Sequence, residues 1–183
     1  MSEIYEPAED SYLMSETLKK EIPVLLRKNP DLKFLEIGCG SGINLQTAAS
    51  SGIKKENIFG SDINKEAVKH CKALGFNVIN SDLFNKVKGE FDIIVFNPPY
   101  LPLDKNEPDD SRLNTTGGIR GNEIIIEFLK QAKGYLNKSA KIFLITSSLS
   151  EQVNFNKSCY RVKPISSTKL FFEKLTLWEC LKI

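Results

Sequence analysis

Five short apolar runs alternate with helix-like segments, and this alternation constrains the fold more than any other feature of the chain. The runs are FLEIG (34 to 38), NIFGSDI (57 to 63), FNVINSD (76 to 82), FDIIVFN (91 to 97) and KIFLITS (141 to 147). Helical spacing fills the gaps at INLQTAASSG (43 to 52), NKEAVKHCKALG (64 to 75) and GNEIIIEFLKQAKGYL (121 to 136). Strands that alternate with helices predict a parallel sheet wrapped on both faces. A further helix is predicted over 6–27, with Pro7 in its first turn and Glu9 and Asp10 at its positive end. YRVKPIS and KLFFEKLTLWECLKI read as a terminal pair of strands. A chain of 183 residues holds one core rather than two, so residues 1–183 are read as a single α/β domain.

In such a sheet, ligands sit at the carboxyl ends of the strands. LEIGCGSG (35 to 42) is a strand running into Gly38, Gly40 and Gly42. A dinucleotide fingerprint requires a third glycine at position 43, where Ile43 stands, and no Gly-Lys-Ser/Thr follows for a triphosphate loop. Acids mark the same ends of the next strands. Asp62 ends the second, where a carboxylate can accept from ribose hydroxyls. Asp82 ends the third, where an adenine amine could be held between Leu83 and Ile63. Glu36 lies inside the first strand, where an ionised carboxylate needs a partner such as a cationic ligand or backbone amides. Together these residues point to a nucleoside cofactor.

LEIGCGSG, SDI, SDLF and Asn97-Pro98-Pro99-Tyr100, in this order, resemble the class I S-adenosylmethionine-dependent methyltransferases. NPPY resembles the members that methylate planar amino nitrogens, either adenine amines or glutamine amides. YEPAEDSYLM (5 to 14) and GGIRG (117 to 121) are similar to the HemK-type release-factor glutamine methyltransferases, in their eukaryotic and archaeal branch. The resemblance implies a Rossmann-like, mostly parallel seven-stranded sheet. It implies contacts to S-adenosylmethionine at Ser11, Glu36, Gly38, Gly40, Asp62, Ile63, Asp82, Leu83 and Asn97. It implies catalysis by Asn97, Pro98 and Tyr100, with Pro99 also against the substrate.

An amide nitrogen is a poor nucleophile, because its lone pair is delocalised into the carbonyl. The Asn97 side-chain carbonyl and the Pro98 backbone carbonyl can take its two N–H groups and hold it in line with a methyl donor. The prolines stiffen the turn and add no competing donor. Tyr100 offers an aromatic face. NPPY alone leaves glutamine and adenine open as substrates; the balance of 25 basic against 23 acidic residues leans away from nucleic acid.

The region 101–121 has no clear periodicity and is expected to contact substrate, with GGIRG as its hinge. The eukaryotic branch works with a small zinc-binding activator subunit. FNVIN, an uncharged strand expected at the sheet edge, is the surface such a partner would cover. Cysteines at 39, 71, 159 and 180 and a single His70 argue against a metal site within the chain. With no apolar signal core behind Met1, a cytoplasmic protein is expected, with a nuclear pool compatible.

Overall fold

In a computed structural model, which describes residues 4–108, 112, 114–155 and 159–183, the predicted alternation becomes one seven-stranded sheet. The elements are α1 (Glu9–Leu26), β1 (Phe34–Ile37), α2 (Ile43–Ser50), β2 (Ile58–Asp62), α3 (Lys65–Ala73), β3 (Asn77–Asn80), β4 (Phe91–Phe96), α4 (Glu123–Ala132), β5 (Leu136–Ser147), β6 (Tyr160–Lys169) and β7 (Lys174–Lys182). Their order across the sheet is β3-β2-β1-β4-β5-β7-β6. The first five of these pair in parallel, and β7 runs antiparallel to both β5 and β6.

Side chains on a strand alternate between the two faces of the sheet, and both faces here are buried. Phe34, Ile93, Val95, Phe143 and Ile145 face α1, α2 and α3, packing with Met14, Leu18, Leu45 and Val68. Leu35, Ile94, Phe96, Ile142 and Leu144 face the opposite way, onto Ile125, Phe128 and Leu129 of α4. The central strands are therefore mostly apolar, interrupted by Glu36 in β1 and Asp92 in β4. On the first face, Lys141 joins Glu21 of α1 at 3.1 Å and Glu179 of β7 at 2.5 Å. Glu179 is buried and also takes Lys163 at 3.0 Å, so the interior carboxylate has two cations. Those cations outweigh its burial and hold it below the usual carboxylate range.

The structure differs from the sequence reading at several ends. Pro7 precedes the first helix, whose N-cap is Ala8, and Pro23 lies inside it. Asn64 caps α3 as expected, its side chain accepting from Glu66 N–H at 2.9 Å. The helix predicted to reach 136 ends at Ala132 in a 3₁₀ turn over Lys133–Tyr135. Leu136 already pairs with Phe91, across a register shift before Ile93, so β5 begins earlier than its apolar core suggests. In β6 the register shifts beside Pro164, which has no N–H for the ladder and is tolerated on an edge strand.

β3 does lie at the sheet edge. Its apolar residues do not face solvent as a group, however. Phe76 and Val78 pack into the core, leaving Asn77 and Ile79 outward.

Candidate functional site

The topological switch falls between β1 and β4, where connections leave in opposite directions and a crevice opens beyond the strand ends. A cavity of about 640 Å³ lies there. Every site residue expected from sequence lines it: Ser11, Glu36, Gly38, Gly40, Asp62, Ile63, Asp82, Leu83, Asn97, Pro98, Pro99 and Tyr100.

The glycine turn forms one wall. Gly38 and Gly40 sit at φ +68° and +46°, left-handed values that ordinary side chains rarely adopt. The turn is tied to β2. Gly38 N–H donates to the Ser61 carbonyl at 2.8 Å, and Gly40 N–H donates to Asp62 Oδ2 at 2.8 Å. Asp62 Oδ1 accepts from Asn64 N–H at 2.8 Å. The acid expected to serve a ribose therefore also sets the shape of the glycine turn and the entry to α3. Burial pushes Asp62 up from the usual carboxylate range, against the pull of these amides. Asp82 is exposed on the rim, and the half-buried Leu83 beside it holds φ +43°, a strained value for a leucine at a ligand wall.

Two buried oxygens in the cavity lining have no hydrogen-bond partner among the described residues: Glu36 Oε2 and Asn97 Oδ1. Buried acceptors are ordinarily satisfied, and each orphan costs about 1–3 kcal/mol. A nucleoside cofactor, whose ribose hydroxyls both donate and accept, fits the Glu36 oxygen, while Asn97 Oδ1, an acceptor only, suits the N–H of a second ligand. Asn44 Nδ2 donates to Glu36 Oε1 at 2.8 Å. Burial nonetheless holds Glu36 well above the ordinary carboxylate range.

That shift gives a signed prediction. The folded chain keeps the Glu36 proton where the unfolded chain has released it. The contribution of this group to stability is full below the unfolded pKa, near ~4.3, and falls as pH rises through the folded value. Glu36→Gln removes the dependence. Without ligand, its melting temperature should stay close to that of the unmodified chain near pH 5 and pull ahead toward pH 8. Each kcal/mol relieved corresponds to about 2–4 °C for a chain of this length. Parallel Tm-against-pH curves would contradict the assignment.

NPPY forms the neighbouring part of the lining, directly after β4. Its tyrosine is anchored by Asp10, which the sequence reading placed at a helix start and within YEPAEDSYLM but gave no role in the site. Asp10 is buried and accepts at Oδ2 from the Tyr5 hydroxyl at 3.0 Å and the Tyr100 hydroxyl at 3.2 Å. Its Oδ1 accepts from the Ser11 amide at 2.5 Å and hydroxyl at 3.1 Å. YEPAED and NPPY therefore meet on one carboxylate. Burial, reinforced by the Asp10 charge, pushes both phenols above their ordinary range, so they remain donors. The spacing of Tyr5 from Asp10 was the available signal for this cluster.

In this structure GGIRG, expected as a hinge, is closely packed. The chain after NPPY folds back on itself: Leu101 N–H donates to the Thr115 carbonyl at 2.8 Å, and Gly117 N–H to the Leu101 carbonyl at 2.9 Å. A Cβ on Gly117 would stand 2.5 Å from the carbonyl oxygens of both Pro99 and Gly121. The glycines let two backbones touch, and that contact holds the prolines in place. Residues 109–111 and 113 of the expected substrate loop lie outside the described residues. Arg112 and Thr116, from the region expected to contact substrate, line the cavity, and so does Glu173, which was not anticipated.

This strand order, with an antiparallel β7 and a ligand cleft at the β1–β4 switch, defines a Rossmann-like methyltransferase. The family model described as methyltransferase small domain matches residues 11–171, and the chain belongs to that family. A Methanocaldococcus jannaschii relative with the name "Putative protein N5-glutamine methyltransferase MJ0928" is 40% identical over 185 residues, covering 94% of this chain and 89% of the relative. The eRF1 methyltransferase catalytic subunit mtq2 of Schizosaccharomyces pombe is 30% identical over 169 residues, covering 78% of this chain and 72% of the relative. Among solved structures, the E. cuniculi Mtq2–Trm112 complex, responsible for methylation of the eRF1 translation termination factor, superposes with a TM-score of 0.68. It is 23% identical and covers 100% of both chains.

Proposed function

We propose that the chain transfers the methyl group of S-adenosylmethionine to the side-chain amide nitrogen of a glutamine, within Gly-Gly-Gln, in a translation release factor. The observation that carries this reading is Asn97 Oδ1, a buried acceptor without a partner, at the end of β4 in the wall of a nucleoside-sized cavity. Kinship with relatives named as glutamine and eRF1 methyltransferases supports glutamine over an adenine amine.

The roles follow from the walls. Glu36, Gly38, Gly40, Asp62, Ile63, Asp82 and Leu83 are the residues that would hold the cofactor, with Ser11 at the start of α1. When bound, S-adenosylmethionine supplies an electrophilic methyl on a sulfonium. Asn97 Oδ1 and the Pro98 carbonyl accept the two N–H bonds of the substrate amide and orient its nitrogen. They also attract the positive charge that grows on that nitrogen as the new bond forms. Holding the partners in this geometry can be worth ~7–11 kcal/mol. Tyr100, pinned by Asp10, keeps its ring against the flat amide. The methylated nitrogen still carries both of its original protons and is positively charged, so one of them leaves late, to water, and no strong base is required.

The activator expected from the resemblance, a small zinc-binding subunit, is assigned here to the β3 edge. The unpaired backbone of that edge and the outward Ile79 favour strand addition. The reaction is placed in the cytoplasm, where release factors act, with a nuclear pool compatible. The test is methyl transfer from labelled cofactor, offered a Gly-Gly-Gln-bearing release factor and adenine-bearing oligonucleotides, with and without the activator. Label in the protein is expected, and label confined to the oligonucleotide would reverse the choice of substrate.

A further inference from the structure

We infer that the turn between β6 and β7 is the docking point for the polypeptide segment that carries the glutamine. The inference rests on the glutamine reading above and extends it to a surface.

The turn is closed by Leu170 N–H donating to the Glu173 carbonyl at 2.7 Å, and Leu170 packs against the core. Between them, Phe171 and Phe172 are 98% and 93% exposed. Covering one phenylalanine side chain is worth about 1.5–3 kcal/mol. Two adjacent rings held in water on a closed turn are therefore an unused binding resource.

Glu173 connects this surface to the chemistry. The next residue along the same turn lines the cavity together with Asn97 and Tyr100. Its Oε1 is shielded from solvent and has no partner among the described residues. Its charge is close enough to Tyr5 and Tyr100 to raise both phenols further. A carboxylate oxygen accepts and does not donate, so its partner must bring an N–H or an O–H. Main-chain amides of the residues beside a substrate glutamine supply such a donor while apolar side chains next to them cover the two rings. A phosphodiester backbone brings no donor and carries like charge, so the carboxylate disfavours a nucleic-acid backbone at this mouth and suits the neutral, donor-bearing main chain of a polypeptide.

The experiment compares the unmodified chain, F171A/F172A and Glu173→Gln, each in complex with the activator. It reads KM for the release factor, cofactor Kd by calorimetry, and Tm. Both variants should raise KM about tenfold or more, the ratio that ~1.4 kcal/mol of lost contact gives. Cofactor Kd and Tm should stay put, and a photo-crosslinker in place of Phe172 should capture the release factor. Unchanged KM in both variants would overturn the inference. A weaker cofactor Kd in Glu173→Gln would also overturn it, by giving the acceptor to the cofactor, as would crosslinking to an adenine oligonucleotide instead. Failure of the glutamine reading itself is distinct: the unmodified chain would then leave the release factor unlabelled.

Discussion

Asn97→Ala should lower the single-turnover rate of methyl transfer by about 10²–10³-fold, the usual effect of removing one preorganised group that stabilises charge in the transition state. Cofactor affinity should stay within about twofold, because the cofactor's ribose and adenine are assigned to Asp62 and Asp82 on other strands. The expectation rests on geometry. Asn97 follows the last paired residue of β4, and its side-chain oxygen is buried, unpartnered and in the cavity wall. No fold contact of that oxygen is lost on truncation, so Tm should change little, and lost activity reports chemistry. Pulse labelling for the rate and calorimetry for the affinity separate the two quantities. An alanine variant that still turns over at the original rate would remove the amide clamp from the mechanism.

Gly117→Ala should reach the same site from behind and damage stability as well. The new Cβ would meet backbone oxygens on two sides, 2.5 Å from Pro99 O and 2.5 Å from Gly121 O. Neither can rotate away as a flexible side chain would. Overpacking of this kind costs about 1–3 kcal/mol. The part of the strain relieved by moving Pro99 is transferred to the NPPY turn, where a displacement near 1 Å can cost about 10²-fold in rate. Gly134 is the control, since a Cβ there meets nothing within 4 Å. Gly134→Ala should leave both Tm and rate nearly unchanged. Equal behaviour of the two alanine variants would show that the contact with Pro99 is not what holds the turn.

The parts of the molecule that were legible in the sequence are those whose causes are local. β1 and β4 are buried on both faces, so their residues read as mostly apolar runs, broken by Glu36 and Asp92, and the glycine turn and NPPY follow them directly. Asn64 and its helix are likewise settled by neighbours. What was not legible depends on distant partners. The first residues of β5 are strand because Phe91 pairs with Leu136, not because of their own polarity. Asp10 has the composition of a helix start, and only the fold brings Tyr100, ninety positions on, to its carboxylate. GGIRG reads as flexible by composition, yet its glycines serve close packing against Pro99. Glu173 reaches the cavity only because β7 returns between β5 and β6.

The central claim is that the orphaned carbonyl of Asn97 presents a glutamine amide to the methyl donor. It is tested most directly by fragmentation mass spectrometry of a release factor incubated with S-adenosylmethionine and the chain. The account predicts one added methyl on the side-chain nitrogen of the glutamine in Gly-Gly-Gln, present with the unmodified chain and absent with Asn97→Ala. A methyl found on any other residue, or found on that glutamine with the alanine variant at an undiminished rate, would contradict it.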